Sequence, residues 1–244
     1  MVNEGYGVPR FLPFGDTALL VEFGDTISSA TNRKVVALSE AVQNTNVRGV
    51  EELVPTYRSL LIRYDPLRVS YEQLVFRVKD LAETLPSQVT GAVGREVVIP
   101  VVYGGQNGPD LAYVARFHKL SEEQVIRLHS EKEYRVYMIG FVAGFPYLGE
   151  VADEVATSRL ETPRLKVPAG SVGIAENQTG IYPCEAPGGW QIIGRTPFRL
   201  FNPSCDPPAL LKPGDLVKFK PISEKEYTSA MNQLLEASFG ESDR

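Results

Sequence analysis

The sequence predicts an α+β domain at the N-terminus followed by a mainly β domain, and three observations support this fold class. The first ninety or so residues alternate between strand and helix patterns. After Tyr134 the apolar runs become short and are separated by glycine and proline. Between these parts, Pro86 to Gly94 is small, polar and contains glycine, which is typical of a linker. We therefore predict domains at residues 1–90 and 95–244.

The N-terminal domain has the predicted order strand, helix, strand, strand, helix. The last helix begins at Ser70, which forms a capping-box pattern with Gln73. This order is typical of a small sandwich of the split βαβ, ferredoxin-like kind. The four elements before the last helix are predicted at Asp16–Phe23, Ser29–Gln43, Gly49–Pro55 and Ser59–Tyr64.

The second domain begins with a buried-looking strand at Glu96–Tyr103, two short helices and then a series of short strands. Regularly spaced short strands with turn signals between them indicate a closed barrel or a sandwich. A final helix is predicted to begin at Ser223, with Glu226 completing its capping box. The helices are predicted at Asp110–His118 and Glu122–Ser130, and the short strands at Tyr134–Phe141, Ser171–Ala175, Ile181–Tyr182, Trp190–Gly194, Phe198–Phe201 and Asp215–Lys220.

The composition argues against several classes of protein. The formal net charge is -5, from 25 Lys and Arg against 30 Asp and Glu, whereas a nucleic-acid binder needs a basic surface. No apolar run approaches the ~20 residues that span a bilayer, and the first residues do not resemble a signal peptide. We therefore expect a cytoplasmic protein that contacts neither nucleic acid nor membrane. Two cysteines, Cys184 and Cys205, are too few for a disulfide framework.

Several standard catalytic motifs are absent from the sequence. It contains no Gly-Lys-Ser/Thr phosphate loop and no G-x-G-x-x-G fingerprint, which argues against an autonomous nucleotide site. It contains no G-x-S-x-G elbow. The only histidines are His118 and His129, so we predict no metal site.

One region is dense in glycine and aromatic residues. Paired glycines let the backbone approach a ligand or another strand closely. Aromatic side chains placed between them could form the wall of a pocket, although tight barrel turns filled by aromatic residues would give the same pattern. The region comprises Gly140–Gly149, Val167–Ala175, Gln178–Pro183 and Pro187–Pro197, and the candidate pocket-wall residues are Phe145, Tyr147, Tyr182 and Trp190.

These four stretches resemble the family of allophanate hydrolase subunit 1, KipI and the B subunit of 5-oxoprolinase. The resemblance extends from about residue 11 to residue 230. Other matching stretches are Phe14-Gly-Asp-Thr-Ala-Leu, Ser59-Leu-Leu-Ile-Arg-Tyr-Asp, Tyr103-Gly-Gly-Gln-Asn-Gly-Pro-Asp-Leu, Tyr134-Arg-Val-Tyr-Met-Ile-Gly-Phe and Pro213-Gly-Asp-Leu-Val-Lys-Phe. The resemblance implies that the second domain is a cyclophilin-like β-barrel.

The resemblance also implies a function and partners. The chain would be a non-autonomous subunit of an ATP-dependent 5-oxoprolinase, which opens the lactam of 5-oxo-L-proline to give L-glutamate. Its partners would be a larger C subunit with a homologous barrel and a lactam-binding A subunit. ATP would be bound by or with these partners. Two alternatives remain: a KipI-like inhibitor of a sensor histidine kinase, and a subunit of a urea carboxylase or allophanate hydrolase assembly.

The charge distribution suggests where an anionic ligand would bind. Residues Thr157–Leu200 carry a local charge of about +2, although ordinary surface scatter would explain it equally well. The best candidates for holding a carboxylate or phosphate are Arg164, Lys166 and Arg195. The five bases of this segment are Arg159, Arg164, Lys166, Arg195 and Arg199, and its three acids are Glu161, Glu176 and Glu185.

Three further residues are candidates for the chemistry. His129 could act as a general acid or base near neutral pH, or it could favour the end of a helix as a cation. Gln178 and Thr179 could form hydrogen bonds with the edge of a lactam, or they could shape a turn. We predict His129 as the catalytic residue and the other two as substrate-binding residues.

Overall fold

The computed structural model describes residues 6–85 and 94–240. The chain divides into two compact units, Met1–Gly94 and Arg95–Arg244. The predicted linker, Pro86 to Gly94, lies outside the described residues except for Gly94.

The first unit has a four-stranded antiparallel sheet and two helices. The strand order is β1-β2-β4-β3, and strand β1 was not predicted from the sequence. The split ferredoxin-like assignment of this unit stays a prediction. The elements are β1 (Arg10–Pro13), β2 (Ala18–Glu22), α1 (Ser29–Asn44), β3 (Val50–Pro55), β4 (Ser59–Tyr64) and α2 (Tyr71–Thr84).

The core of the first unit forms where the helices contact the sheet. Helix α1 buries Val35 and Leu38, and helix α2 buries Leu74. These side chains pack in one cluster with Leu19 and Ile62 from the central strands β2 and β4. Removal of this apolar surface from water stabilises the unit.

The second unit is a closed barrel of seven strands, which confirms the predicted mainly β barrel. The strands follow the order β10-β7-β6-β13-β5-β12-β9 around the barrel, and β8 and β11 form a separate two-stranded sheet. The elements are β5 (Glu96–Tyr103), α3 (Leu111–His118), α4 (Glu122–Ser130), β6 (Glu133–Ile139), β7 (Pro146–Gly149), β8 (Arg164–Val167), β9 (Ser171–Ala175), β10 (Gln178–Ile181), β11 (Ala186–Gly188), β12 (Gln191–Arg195), β13 (Leu216–Pro221) and α5 (Glu224–Gly240).

The sequence patterns missed some of the short strands and misplaced others. The prediction of a strand at Phe198–Phe201 was wrong, because only an isolated bridge between Phe201 and Ala209 forms there. Pro197 and Pro203 flank this segment and remove backbone N–H donors that a strand would use. Strands β7, β8 and β11 have only three or four residues each, too few for an alternating pattern to be recognised.

The three capping boxes predicted from the sequence, Ser70 with Gln73, Ser121 with Gln124 and Ser223 with Glu226, are all present. In the first two, the serine side chain accepts a hydrogen bond from the backbone N–H of the residue three positions later, and that residue's side chain accepts one from the serine N–H. Ser223 and Glu226 make the same reciprocal pair before α5. These bonds satisfy helix N–H groups that have no partner within the helix.

Candidate functional site

The four aromatic residues predicted as pocket walls line one pocket in the second unit. Its volume is about 290 Å³. That size lies at the lower end of the range for small-molecule sites, so the pocket suits a compact metabolite. The lining residues are Phe141, Phe145, Tyr147, Arg159, Pro163, Tyr182, Pro187, Gly188, Gly189 and Trp190.

The aromatic rings hold one another in place. Phe145 is almost fully buried, and its ring centroid lies 4.9 Å from that of Tyr147, 5.1 Å from Tyr182 and 5.4 Å from Trp190. The contacts with Tyr182 and Trp190 are edge-to-face, an arrangement that aromatic pairs prefer. The pocket wall is therefore formed by packing within the chain and does not require a ligand to order it.

Two glycines make this packing possible. A Cβ on Gly180, in β10, would lie 2.9 Å from both Phe145 Cζ and Trp190 Cζ3. A Cβ on Gly188, in β11, would collide with the hydroxyl of Tyr182. The glycines of the Gln178–Pro183 and Pro187–Pro197 motifs thus let the backbone approach the aromatic rings closely.

The two tyrosines of the pocket are neutral near pH 7. Burial raises the pKa of Tyr182 to about 12, and a hydrogen bond with the Trp190 backbone lowers it in part. Burial also raises the pKa of Tyr147. The positive charge of Arg159 opposes the rise in pKa at both tyrosines, and that of Arg164 opposes it at Tyr182. Neutral hydroxyls can donate or accept hydrogen bonds, so the wall offers polar tips on apolar rings.

His129 lies in the protein core and is not among the residues that line the pocket. It is fully buried, and burial lowers its pKa to about 3. Its Nδ1 lies 2.8 Å from the Tyr103 hydroxyl and its Nε2 lies 2.9 Å from Thr179 Oγ1. Its ring stacks on Phe219 at a centroid distance of 4.6 Å. Both ring nitrogens have partners, so this geometry gives His129 a structural role, while the catalytic role stays a prediction.

Thr179 fixes the tautomer of His129. Its hydroxyl donates to the Gly173 carbonyl at 2.9 Å, so the same oxygen accepts the hydrogen bond from His129. The proton of the neutral imidazole therefore lies on Nε2, and Nδ1 accepts from Tyr103. Thr179 is itself fully buried, whereas its neighbour Gln178 is partly exposed. Their predicted contact with a substrate stays a prediction.

The three cations predicted to bind substrate do not project together into the pocket. Arg164 lies 2.6 Å from Asp110 Oδ1 in an ion pair, and the other oxygen of Asp110 accepts the N–H of Ile192. Lys166 is exposed and its Nζ lies 3.0 Å from Glu185 Oε1. Arg195 donates to the backbone oxygen of Ala169 at 2.8 Å. None of the three is among the pocket-lining residues. Their predicted substrate-binding roles stay predictions.

The cation that does line the pocket is Arg159, one of the five bases of the Thr157–Leu200 segment and not one of the three predicted to bind substrate. Its guanidinium carbon lies 6.0 Å from the centroid of the Trp190 ring, within the range of a cation–π contact. The signal available from the sequence was the excess of positive charge between Thr157 and Leu200. That signal could not tell which cation of the five faces the aromatic residues.

The described residues contain neither a cluster of metal ligands nor a membrane-spanning helix. In the ranges 6–85 and 94–240, no group of three or more His, Cys, Asp and Glu is placed to hold a metal ion. Over those same ranges, no helix combines the length and the apolar character needed to cross a membrane.

Comparison with known families and proteins gives consistent matches over most of the chain. Residues 9–211 match the family of the carboxyltransferase domain, subdomain C and D. The B subunit of 5-oxoprolinase from Bacillus subtilis is 44% identical over 223 residues, covering 87% of this chain and 92% of the relative. The B subunit of 5-oxoprolinase from Escherichia coli O157:H7 is 41% identical over 213 residues, covering 86% of this chain and 94% of the relative. The urea amidolyase of Saccharomyces cerevisiae is 23% identical, covering 92% of this chain but only 14% of the relative.

Solved structures show the same fold. The crystal structure of the protein TTHA0988 matches with a TM-score of 0.75 and 39% identity, covering 84% of this chain. This chain spans 40% of that structure's chain. The Kluyveromyces lactis urea amidolyase matches with a TM-score of 0.68 at 20% identity over 91% of this chain, which shows a shared fold alone.

Proposed function

The chain belongs to the family of the carboxyltransferase domain, subdomain C and D, and from that premise we propose that it is the B subunit of an ATP-dependent 5-oxoprolinase. The observation that carries the proposal is the identity of 41 to 44% to proteins named as this subunit, over more than nine tenths of their length. In this complex the chain acts together with a larger C subunit and a lactam-binding A subunit. The complex cleaves 5-oxo-L-proline to L-glutamate.

The aromatic pocket is the proposed contact site for the lactam in this chain. A five-membered lactam has apolar methylene groups on its ring and an amide at one edge. Phe145 and Trp190 offer apolar ring faces, and the neutral hydroxyls of Tyr147 and Tyr182 offer hydrogen bonds. A pocket of about 290 Å³ has room for such a small ring.

The proposal assigns ATP to the other subunits or to a site shared with them. When bound, ATP supplies the activation that an unstrained lactam needs before it can be opened. Among the described residues of the pocket, Arg159 is the one cationic side chain, which suits a single carboxylate and does not suit a triphosphate. This observation supports a division of labour in which the pocket of this chain contacts the ring beside the lactam-binding A subunit, and the phosphates of ATP are bound elsewhere.

The two alternative functions have weaker support. The urea-cleaving alternative draws on relatives that are 22 to 24% identical and of which this chain covers no more than 20%. The kinase-inhibitor alternative draws no support from the relatives described above. The 5-oxoprolinase proposal therefore stands ahead of both.

Reconstitution with the two partner subunits tests the proposal. The purified chain is mixed with the lactam-binding and the larger partner from the same source, and glutamate release is measured with 5-oxo-L-proline and ATP. We expect release from the complete mixture and none from the chain alone. A parallel reaction with urea serves as the control for the alternative. ATP cleavage stimulated by urea and not by 5-oxo-L-proline would contradict the proposed substrate.

A further inference from the structure

Four of the five cations between Thr157 and Leu200 are bonded to other groups of the protein. Arg164 and Lys166 form ion pairs with Asp110 and Glu185, and Arg195 and Arg199 donate to the backbone oxygens of Ala169 and Phe201. Arg159 is the fifth. In the part of the chain that the structure describes, no hydrogen bond or ion pair joins it to another residue. Its guanidinium is therefore available to a ligand.

Arg159 also faces the pocket. It is the one charged side chain among the described residues that line it. Its positive charge acts on both pocket tyrosines, where it opposes the rise in pKa that burial causes. The guanidinium carbon lies 6.0 Å from the centroid of the Trp190 ring. An otherwise neutral aromatic pocket with one free cation is complementary to a small ring that carries one negative charge.

We propose that Arg159 is the residue that selects the substrate, by binding the carboxylate of a small cyclic acid whose ring packs against Trp190 and Phe145. This inference deepens the proposed function and rests on it, because 5-oxo-L-proline is such an acid. The planar guanidinium can donate two parallel hydrogen bonds to a carboxylate, which lysine cannot reproduce. Neutral rings of the same size would lose this interaction and keep only the aromatic contacts.

Trp190 makes the proposal testable without the partner proteins. It is the only tryptophan in the chain and it lines the pocket, so its fluorescence reports directly on binding there. The full-length chain is titrated with 5-oxo-L-proline and with 2-pyrrolidinone, which has the same lactam ring and no carboxylate. The test variants are R159Q and R159K. R116Q is the matched control, because it also removes one exposed arginine from the same unit.

We expect R159Q to weaken binding of 5-oxo-L-proline about tenfold, the lower part of the range for a charge-assisted hydrogen bond, because Arg159 is exposed to water. R159K should recover only part of this loss, and R116Q should bind like the wild type. Affinity for 2-pyrrolidinone should be the same in all four proteins. Melting temperatures should also agree, because an exposed side chain without a hydrogen bond or ion pair to the protein contributes little to the fold.

Three results of the titration would overturn the proposal: no response of Trp190 to 5-oxo-L-proline in the wild type, equal affinity of R159Q and wild type for that acid, or an equal loss of affinity for the neutral lactam. Failure of the proposed function would look different. In that case the chain would bind the acid through Arg159 while the assembled complex released no glutamate. Conversely, glutamate release that is unaffected by R159Q would overturn the role of Arg159 and leave the proposed function intact.

Discussion

Burial of His129 makes the stability of the second unit depend on pH. In the folded protein its pKa falls to about 3 from an ordinary value of 6.5, because burial disfavours the charged ring. Between these two values the unfolded chain binds a proton that the folded chain does not bind. The free energy of unfolding therefore decreases as the pH falls through this window, by up to about 1.4 kcal/mol per pH unit for this group. Above the ordinary pKa its contribution is constant.

The test compares urea unfolding from pH 7 to pH 4 in the wild type and in His129→Asn. Tyr103 and Tyr134 pack against the imidazole, and burial raises the pKa of both, so they stay neutral in this range. The variant should be less stable at pH 7 and should show a shallower dependence on pH. His118→Asn controls for the loss of an imidazole. An identical slope in wild type and His129→Asn would contradict this account of the core.

At the scale of the single residue, sequence reasoning identified residue types better than it identified their roles. Phe145, Tyr147, Tyr182 and Trp190 were selected together because glycine-rich motifs surround them, and the structure places them in one pocket. The placement of His129 could not be predicted in the same way. Its burial depends on partners that lie 26 and 50 residues away in the sequence, and no local pattern reports such contacts.

At the scale of the element, Asp110 connects three elements of the second unit through its side-chain bonds and its position in the chain. It immediately precedes α3, its Oδ1 binds Arg164 of β8, and its Oδ2 accepts the N–H of Ile192 in β12. Both carboxylate oxygens of Asp110 accept hydrogen bonds. In asparagine an NH2 group replaces one of these oxygens, and this donor would face either the Arg164 guanidinium or the Ile192 N–H, which are donors themselves. We expect Asp110→Asn to lower the free energy of unfolding by about 2 kcal/mol, measured by denaturant unfolding. The exposed Asp153→Asn is the control, and equal stability of both variants would count against this role.

Gly180 of β10 sets the position of the pocket wall. A Cβ there would lie 2.9 Å from Phe145 Cζ and Trp190 Cζ3 and 3.0 Å from the Pro146 carbonyl oxygen, so the rings must move. We expect Gly180→Ala to shift the emission of Trp190 and to weaken binding of 5-oxo-L-proline. Gly7→Ala is the matched control, because a Cβ on Gly7 has no atom within 4 Å. Unchanged emission and affinity in Gly180→Ala would show that the pocket tolerates displacement.

Helices and long strands could be predicted from the sequence because each carries its own local signal. Helix α1 was predicted at Ser29–Gln43 and ends one residue later, and the capping boxes marked where other helices begin. Strands β7, β8 and β11 carry no such signal. They form because the closed barrel and the small β8–β11 sheet supply their partners, and pairing between distant segments is not encoded in any short stretch.

At the scale of the whole molecule, the proposed function depends on other proteins, which an assay of the isolated chain does not contain. This chain has 44% sequence identity to the B subunit of the Bacillus subtilis 5-oxoprolinase over 92% of that subunit's length. We therefore expect this chain to be able to replace that subunit. The surfaces that contact the remaining subunits would then be similar enough to assemble. A hybrid complex therefore tests function and assembly in one measurement.

The most direct measurement is ATP-dependent glutamate release from 5-oxo-L-proline by the Bacillus subtilis enzyme in which this chain replaces the B subunit. The same mixture without this chain and without the protein that it replaces sets the background. We predict release well above that background, dependent on both ATP and 5-oxo-L-proline. Co-purification of this chain with the other subunits, accompanied by release no greater than the background, would contradict the account, because the chain would then assemble without supporting the reaction.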